Sequence, residues 1–141
     1  MIVNTATTIG APAENIWKTI RAYDNVESFN PMVTSSTING TDEGSQRVCQ
    51  VQFGDQKGEI FENLDSVNEE NKTIKVSVTK APPPLGGLQV TIQVKSLDEN
   101  KTEILISTEV EDGNEQVSEG IQGIFQMIGE GLKKLHEKEV I

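Results

Sequence analysis

The chain is poor in the residues that most often declare a function. It has one cysteine, Cys49, so no intramolecular disulfide is possible and no CxxC or similar metal cluster can form. A lone thiol in a strand-like segment reads as a small buried hydrophobe. It has one histidine, His136, placed among lysines in the last helical turns, which reads as a surface residue rather than a catalytic base. Four Phe, one Trp and one Tyr are the only aromatics in 141 residues, so the core must be built from Ile, Val and Leu. Bases are outnumbered, twelve against twenty-two acids, for a formal net charge of −10. Such a surface repels phosphate backbones and anionic membranes alike, which argues against nucleic acid and an anionic membrane surface as partners. No run approaches about eighteen apolar residues, so no membrane insertion is expected. Met1-Ile2-Val3-Asn4-Thr5 has neither a charged leader nor an apolar stretch behind it, so no signal peptide is expected and the location expected is cytoplasmic. Asn71-Lys72-Thr73 and Asn100-Lys101-Thr102 match the glycosylation sequon, but without secretion they read as chance matches in turns. There is no glycine-rich phosphate loop and no paired metal-ligand spacing, so neither cofactor nor metal is expected.

What is present is a regular alternation of short segments, with no linker or internal repeat, which fits one domain over residues 1–141. Residues 2–9 are rich in Val, Ile and Thr and suit a strand. Ala11-Pro12-Ala13-Glu14 opens a helix whose apolar face is Ile16, Trp17, Ile20 and Tyr23, and a short second helical piece, Val26 to Phe29, ends at Asn30-Pro31. Strands are then predicted over 33–38, 46–53, 57–67, 73–79, 88–96 and 102–111, separated by turn signals such as Asn39-Gly40, Gly54-Asp55 and Asp98-Glu99-Asn100. Ile74, Val76 and Val78 alternate with polar residues, as do Leu88, Val90, Ile92 and Val94, and then Ile104, Ile106 and Val110. One sheet face is therefore buried, and it needs a cover.

The long helix predicted from Asn114 to Lys138, starting near Asp112-Gly113-Asn114, is the only element large enough. Its apolar stripe is Val117, Ile121, Ile124, Phe125, Ile128, Leu132 and Leu135. It also carries Gly120, Gly123, Gly129 and Gly131, each of which disfavours a helix by about 0.5–1 kcal/mol against alanine. A helix that must leave room beside it has a reason to accept that, so the glycines are read as one wall of an internal cavity. Ala81-Pro82-Pro83-Pro84 with Leu85-Gly86-Gly87 is a stiff-then-flexible connection, either an ordinary turn or a lid over the cavity mouth.

Four short motifs, in order, resemble the START-like (SRPBCC) superfamily, in particular its polyketide cyclase/dehydrase and lipid-transport family. Ala11-Pro12-Ala13-Glu14-Asn15-Ile16-Trp17 is similar to the family's opening helix, and Phe29-Asn30-Pro31 to its aromatic-x-Pro. Glu62-Asn63-Leu64 with Val67-Asn68 is similar to a central strand, and Gly131-Leu132-Lys133-Lys134-Leu135 to the terminal GLxxL. The resemblance implies an α+β helix-grip fold: a curved seven-stranded antiparallel sheet wrapped around a long C-terminal helix, with two short helices after strand 1. It also implies a cavity between sheet and helix. By position, the ligand-binding residues would be Asn30 at the rim, then Val51, Phe53, Ile60, Glu62, Val76, Val78, Leu88, Val90 and Ile106 on the sheet, with Gly123, Met127 and Gly131 on the helix. The gate of the related plant hormone receptors has no counterpart in the Phe53–Gly58 turn, nor their latch around Pro84-Leu85.

Glu62 is the one candidate for chemistry. Facing inward, it would be a carboxylate in an apolar space, wanting a donor or a cation such as Arg47. Facing outward, it would leave Phe61 to pack inside; Glu59, Glu62 and Asp65 break the alternation on both faces, so both readings stand. Three functions follow. The first is binding of a hydrophobic or amphipathic small molecule (a lipid, an isoprenoid or an aromatic polyketide-like compound). The second is a cyclase or dehydratase reaction with Glu62 as general acid or base. The third is a protein-interaction module with a filled cavity, and the oligomeric state, monomer or dimer, is left open.

Overall fold

The computed structural model describes residues 1–83, 85–111 and 115–137. Pro84, the Asp112-Gly113-Asn114 helix start and Lys138 lie outside them. The elements in chain order are β1 (Ile2–Ile9), α1 (Ala13–Arg21), a single 3-10 turn (Val26–Ser28), β2 (Val33–Ile38), β3 (Gln46–Phe53), β4 (Gln56–Asn68), β5 (Thr73–Lys80), β6 (Gln89–Asp98), β7 (Lys101–Glu109) and α2 (Glu115–Glu137). The second short helix is thus only a 3-10 turn. The seven strands form one antiparallel sheet in the order β1-β7-β6-β5-β4-β3-β2. Each strand from β2 to β6 pairs with the next in sequence, and β1 closes on β7.

Pro12 sets the backbone for α1, and Glu14 in its first turn and Arg21 in its last complement the dipole. Its buried residues include Ile16, Trp17 and Ile20. Trp17 packs in the core and donates its indole N–H to Glu69 Oε1 at 2.9 Å, while Arg21 Nε donates to the other oxygen of Glu69 at 2.6 Å. Tyr23 falls outside the helix: its φ is 70°, left-handed, and so is that of Asn25 at 54°. The ring is nonetheless 1 % exposed.

The sheet bends at irregularities. The register slips between Phe61 and Glu62 and again between Leu64 and Ser66 on the thirteen-residue β4, and once more between Val33 and Ser35 on β2. Beneath the concave face lies α2, whose buried residues are Ile121, Phe125, Gly129, Leu132 and His136. Its main packing partner is β1. A β-carbon at Gly129 would fall inside the Thr7 hydroxyl, so the missing side chain lets helix and strand touch. At its end, His136 is not a surface residue. It is 9 % exposed, and its Nε2 is 2.9 Å from the Thr19 hydroxyl, because the last turn of α2 folds back onto α1.

Candidate functional site

The two-residue turn Gly54-Asp55 closes β3 onto β4 with Phe53 opposite Gln56, and Gly54 takes the left-handed φ of 62° that the turn requires. From there the ladder fixes Val51 opposite Gly58, Cys49 opposite Ile60 and Arg47 opposite Glu62. Directly opposed residues share a face, so Arg47, Cys49, Ile60 and Glu62 all point to the concave side. Phe61 points to the other side, 5.8 Å from the Lys80 ammonium.

A pocket of about 100 Å3 lies between this part of the sheet, the 3-10 turn and α2. Its walls are Ile60, Ile74, Val76, Val78, Val90 and Ile92 from the sheet and Ile124, Phe125, Ile128 and Leu132 from α2. Ile20, Val26, Phe29, Met32, Val33 and Leu85 complete the apolar lining, and Asn30, Arg47, Cys49 and Glu62 are its polar members. Val90, Ile92, Ile124 and Ile128 stay only half-buried. The volume is below the roughly 300–1,000 Å3 of sites for drug-sized ligands and somewhat under the roughly 150 Å3 of an apolar cavity that takes up benzene.

The polar end is tightly built. Arg47 Nε donates to Glu62 Oε1 at 2.7 Å, and the two side chains are 11 % and 14 % exposed. Arg47 Nη1 donates to the Tyr23 carbonyl at 2.9 Å, and the guanidinium carbon sits 4.4 Å from the Tyr23 ring centroid. The Cys49 thiol donates to Glu62 Oε1 at 3.4 Å, and the Tyr23 hydroxyl to the Ser45 carbonyl at 3.3 Å. Arg47 thereby ties β3 to the left-handed turn after α1. Burial alone would draw the Arg47 pKa down, but the charge and hydrogen bond of Glu62 outweigh it and hold the guanidinium protonated. Burial, reinforced by the Glu62 charge, pushes the Cys49 thiol up to about 12. Burial likewise pushes the Tyr23 phenol up to about 12 against the opposing pull of Arg47.

Of the residues singled out from sequence, Asn30, Ile60, Glu62, Val76, Val78 and Val90 line this pocket together. The others do not. Val51 and Ile106 are buried in the packed core, Leu88 is half-buried off the wall, and Phe53 is 39 % exposed at its hairpin end. Met127 and Gly131 border a different, open groove beside the 3-10 turn, with Pro31 and Lys134. A β-carbon at Gly131 would run into the Phe29 backbone, so that glycine permits a close approach and leaves no empty space. Gly123 has nothing within 4 Å of where its β-carbon would be, yet it is not on the pocket wall. Arg47, the cation expected for an inward Glu62, is on the inward face as expected. It sits directly opposite, and counting back from Gly54-Asp55 gives that register. Among the described residues no three His, Cys, Asp or Glu side chains gather as a metal site, and no helix is long and apolar enough to cross a membrane.

Residues 1–138 match the family model described as polyketide cyclase / dehydrase and lipid transport. Three solved structures are similar over nearly the whole chain. A protein from Nitrosospira multiformis matches at 15% identity and a TM-score of 0.82, covering 99% of each chain. The protein XoxI from Bacillus cereus matches at 22% identity and a TM-score of 0.81, covering 99% of this chain and 98% of that one. A protein from Bacillus thuringiensis matches at 23% identity and a TM-score of 0.77, covering 100% of both. At these identities the likeness is one of fold. No match was found among the curated proteins.

Proposed function

The chain belongs to the polyketide cyclase / dehydrase and lipid transport family, and from that premise we propose that it binds a hydrophobic or amphipathic small molecule between the sheet and α2. The observation that carries this reading is an apolar pocket ending at the largely buried Arg47–Glu62 pair. A site that is mostly apolar with a few convergent polar groups is the usual construction for small-molecule recognition. At about 100 Å3 the pocket takes a compact apolar group. A longer lipid or isoprenoid requires the β5–β6 connection, whose Leu85 is buried on the pocket wall, to move aside. That connection is then a lid.

The polar groups support binding over reaction. Glu62 is already paired to Arg47, and the Cys49 thiol and Tyr23 phenol, both near 12, stay protonated at neutral pH and supply neither nucleophile nor base. The cyclase or dehydratase alternative would rest on Glu62 alone.

The test is mass spectrometry of small molecules that co-purify with the protein, run in parallel on wild type and on Ile128→Phe, which fills the pocket from α2. A compound recovered with wild type and depleted in a folded Ile128→Phe variant is the expected result. Equal recovery from both places the ligand elsewhere and overturns the proposal.

A further inference from the structure

The polar end of the pocket has unused hydrogen-bonding capacity of a particular kind. Glu62 Oε1 accepts from both Arg47 Nε and Cys49 Sγ. Among the described residues, no hydrogen bond reaches Glu62 Oε2, and none leaves Arg47 Nη2. Asn30 is in a similar position: its Oδ1 accepts from the Met32 N–H at 3.1 Å, and its amide nitrogen donates to none of the described residues. Among those residues the only fully buried side-chain polar atom without a partner is Thr5 Oγ1, on another part of the sheet. The unused atoms of Arg47, Glu62 and Asn30 are therefore not sealed inside the protein, and all three residues line the pocket.

Resting on the binding function proposed above, we infer that the ligand enters with an uncharged hydroxyl group leading, carried on a branched aliphatic body of about three or four carbons, the size the pocket holds in its closed form. Arg47 and Glu62 cancel, so an anionic or cationic headgroup would add a net charge to a poorly solvated site with no counter-charge left for it. A hydroxyl is the smallest group that both donates and accepts, so a single atom can give to Glu62 Oε2 while taking from Arg47 Nη2. A carboxylate can only accept, an ammonium can only donate, and an ether can only accept. The walls, mostly Ile, Val and Leu with Phe29 and Phe125, favour an apolar body behind that group.

The experiment is a titration of the isotopically labelled protein followed by amide and methyl NMR shifts. The four probes are 2-methylpropan-1-ol, 2-methylpropanoate, 2-methylpropylammonium and 1-methoxy-2-methylpropane. The alcohol is expected to shift Val76, Val78, Ile124 and Ile128 saturably, about tenfold more tightly than either charged analogue and several-fold more tightly than the ether. Glu62→Gln removes the negative charge and leaves Arg47, so in that variant the order is expected to turn toward 2-methylpropanoate. A charged analogue binding as well as the alcohol, or an ether matching it, overturns the inference while leaving pocket binding intact. If none of the four moves a pocket resonance, the binding function itself falls, and this inference with it. The wild-type series decides the matter even if Glu62→Gln does not fold.

Discussion

The two ends of the sheet treat the same helix differently. Where α2 meets β1, it is pressed down: Gly129 admits Thr7, and Ile121, Ile104 and Ile9 are at most 1 % exposed. Toward β3 to β6 the helix stands off, Ile124 and Ile128 are half-buried, and a pocket with a charged pair at its end fills the gap. The four helix glycines divide in a related way. Gly129 and Gly131 permit contact, with Thr7 and with the Phe29 backbone, whereas nothing lies within 4 Å of a β-carbon at Gly120 or Gly123. A glycine-rich helix is therefore not in itself the mark of a hollow protein. Half of these glycines close the structure, and the pocket wall is made by isoleucines, a phenylalanine and a leucine.

The comparison can be broken most forcefully at the pocket end. Arg47→Met leaves Glu62 buried without its cation, and the expected loss is about 3–5 kcal/mol in urea unfolding. The double variant Arg47→Met/Glu62→Met should recover most of it, since replacing a whole buried pair with apolar groups is often near neutral. Additive losses would mean that the two side chains are not coupled. At the contact end, Gly131→Ala forces a methyl group into the Phe29 backbone and should cost about 3 kcal/mol. A neutral result there would show that the 3-10 turn yields easily.

Alkaline pH sharpens the contrast next. The Cys49 thiol is raised from 9.0 to about 12 and the Tyr23 phenol from 10.0 to about 12. Both are neutral in the folded state over a range in which the unfolded chain ionises. Their contribution is fully present below pH 9 and is lost as pH rises toward about 12. Thermal melts should decline across that window, and Cys49→Val should remove its own share of the slope, read relative to the same variant's melt at pH 7. Smallest, and opposite in sign, is Gly120→Ala. It gains helix propensity and meets nothing, so stability should rise by about 0.5–1 kcal/mol. Destabilisation at that position would mean that the open side of α2 is occupied in solution.

Much of the architecture was legible because the signals are local. Alternating Ile and Val marked β5 to β7, Pro12 marked the start of α1, and Asn39-Gly40 and Gly54-Asp55 marked strand ends. The residues that were misread depend on what lies across a gap. Gly131 resembles any other helix glycine until the Phe29 backbone is seen beneath it. His136 resembles a surface residue until α2 folds back onto Thr19. Val51, Phe53, Leu88 and Ile106 lie on or next to strands whose inward face follows from the sequence, but alternation reports only which face a residue takes. How far along the sheet the helix stands clear depends on where α2 crosses β1, and no single segment carries that information. The pairing of Arg47 with Glu62 was available, because a two-residue turn fixes every pair behind it.

Xenon uptake tests the standing-off of α2 most directly, since an apolar space of this size binds the atom without needing its polar end. Methyl resonances should be followed under increasing xenon pressure. The account predicts saturable shifts at Val76, Val78, Ile124 and Ile128, with Ile9, Ile104 and Ile121 unmoved. Shifts absent from the first group, or equal in both, would contradict it.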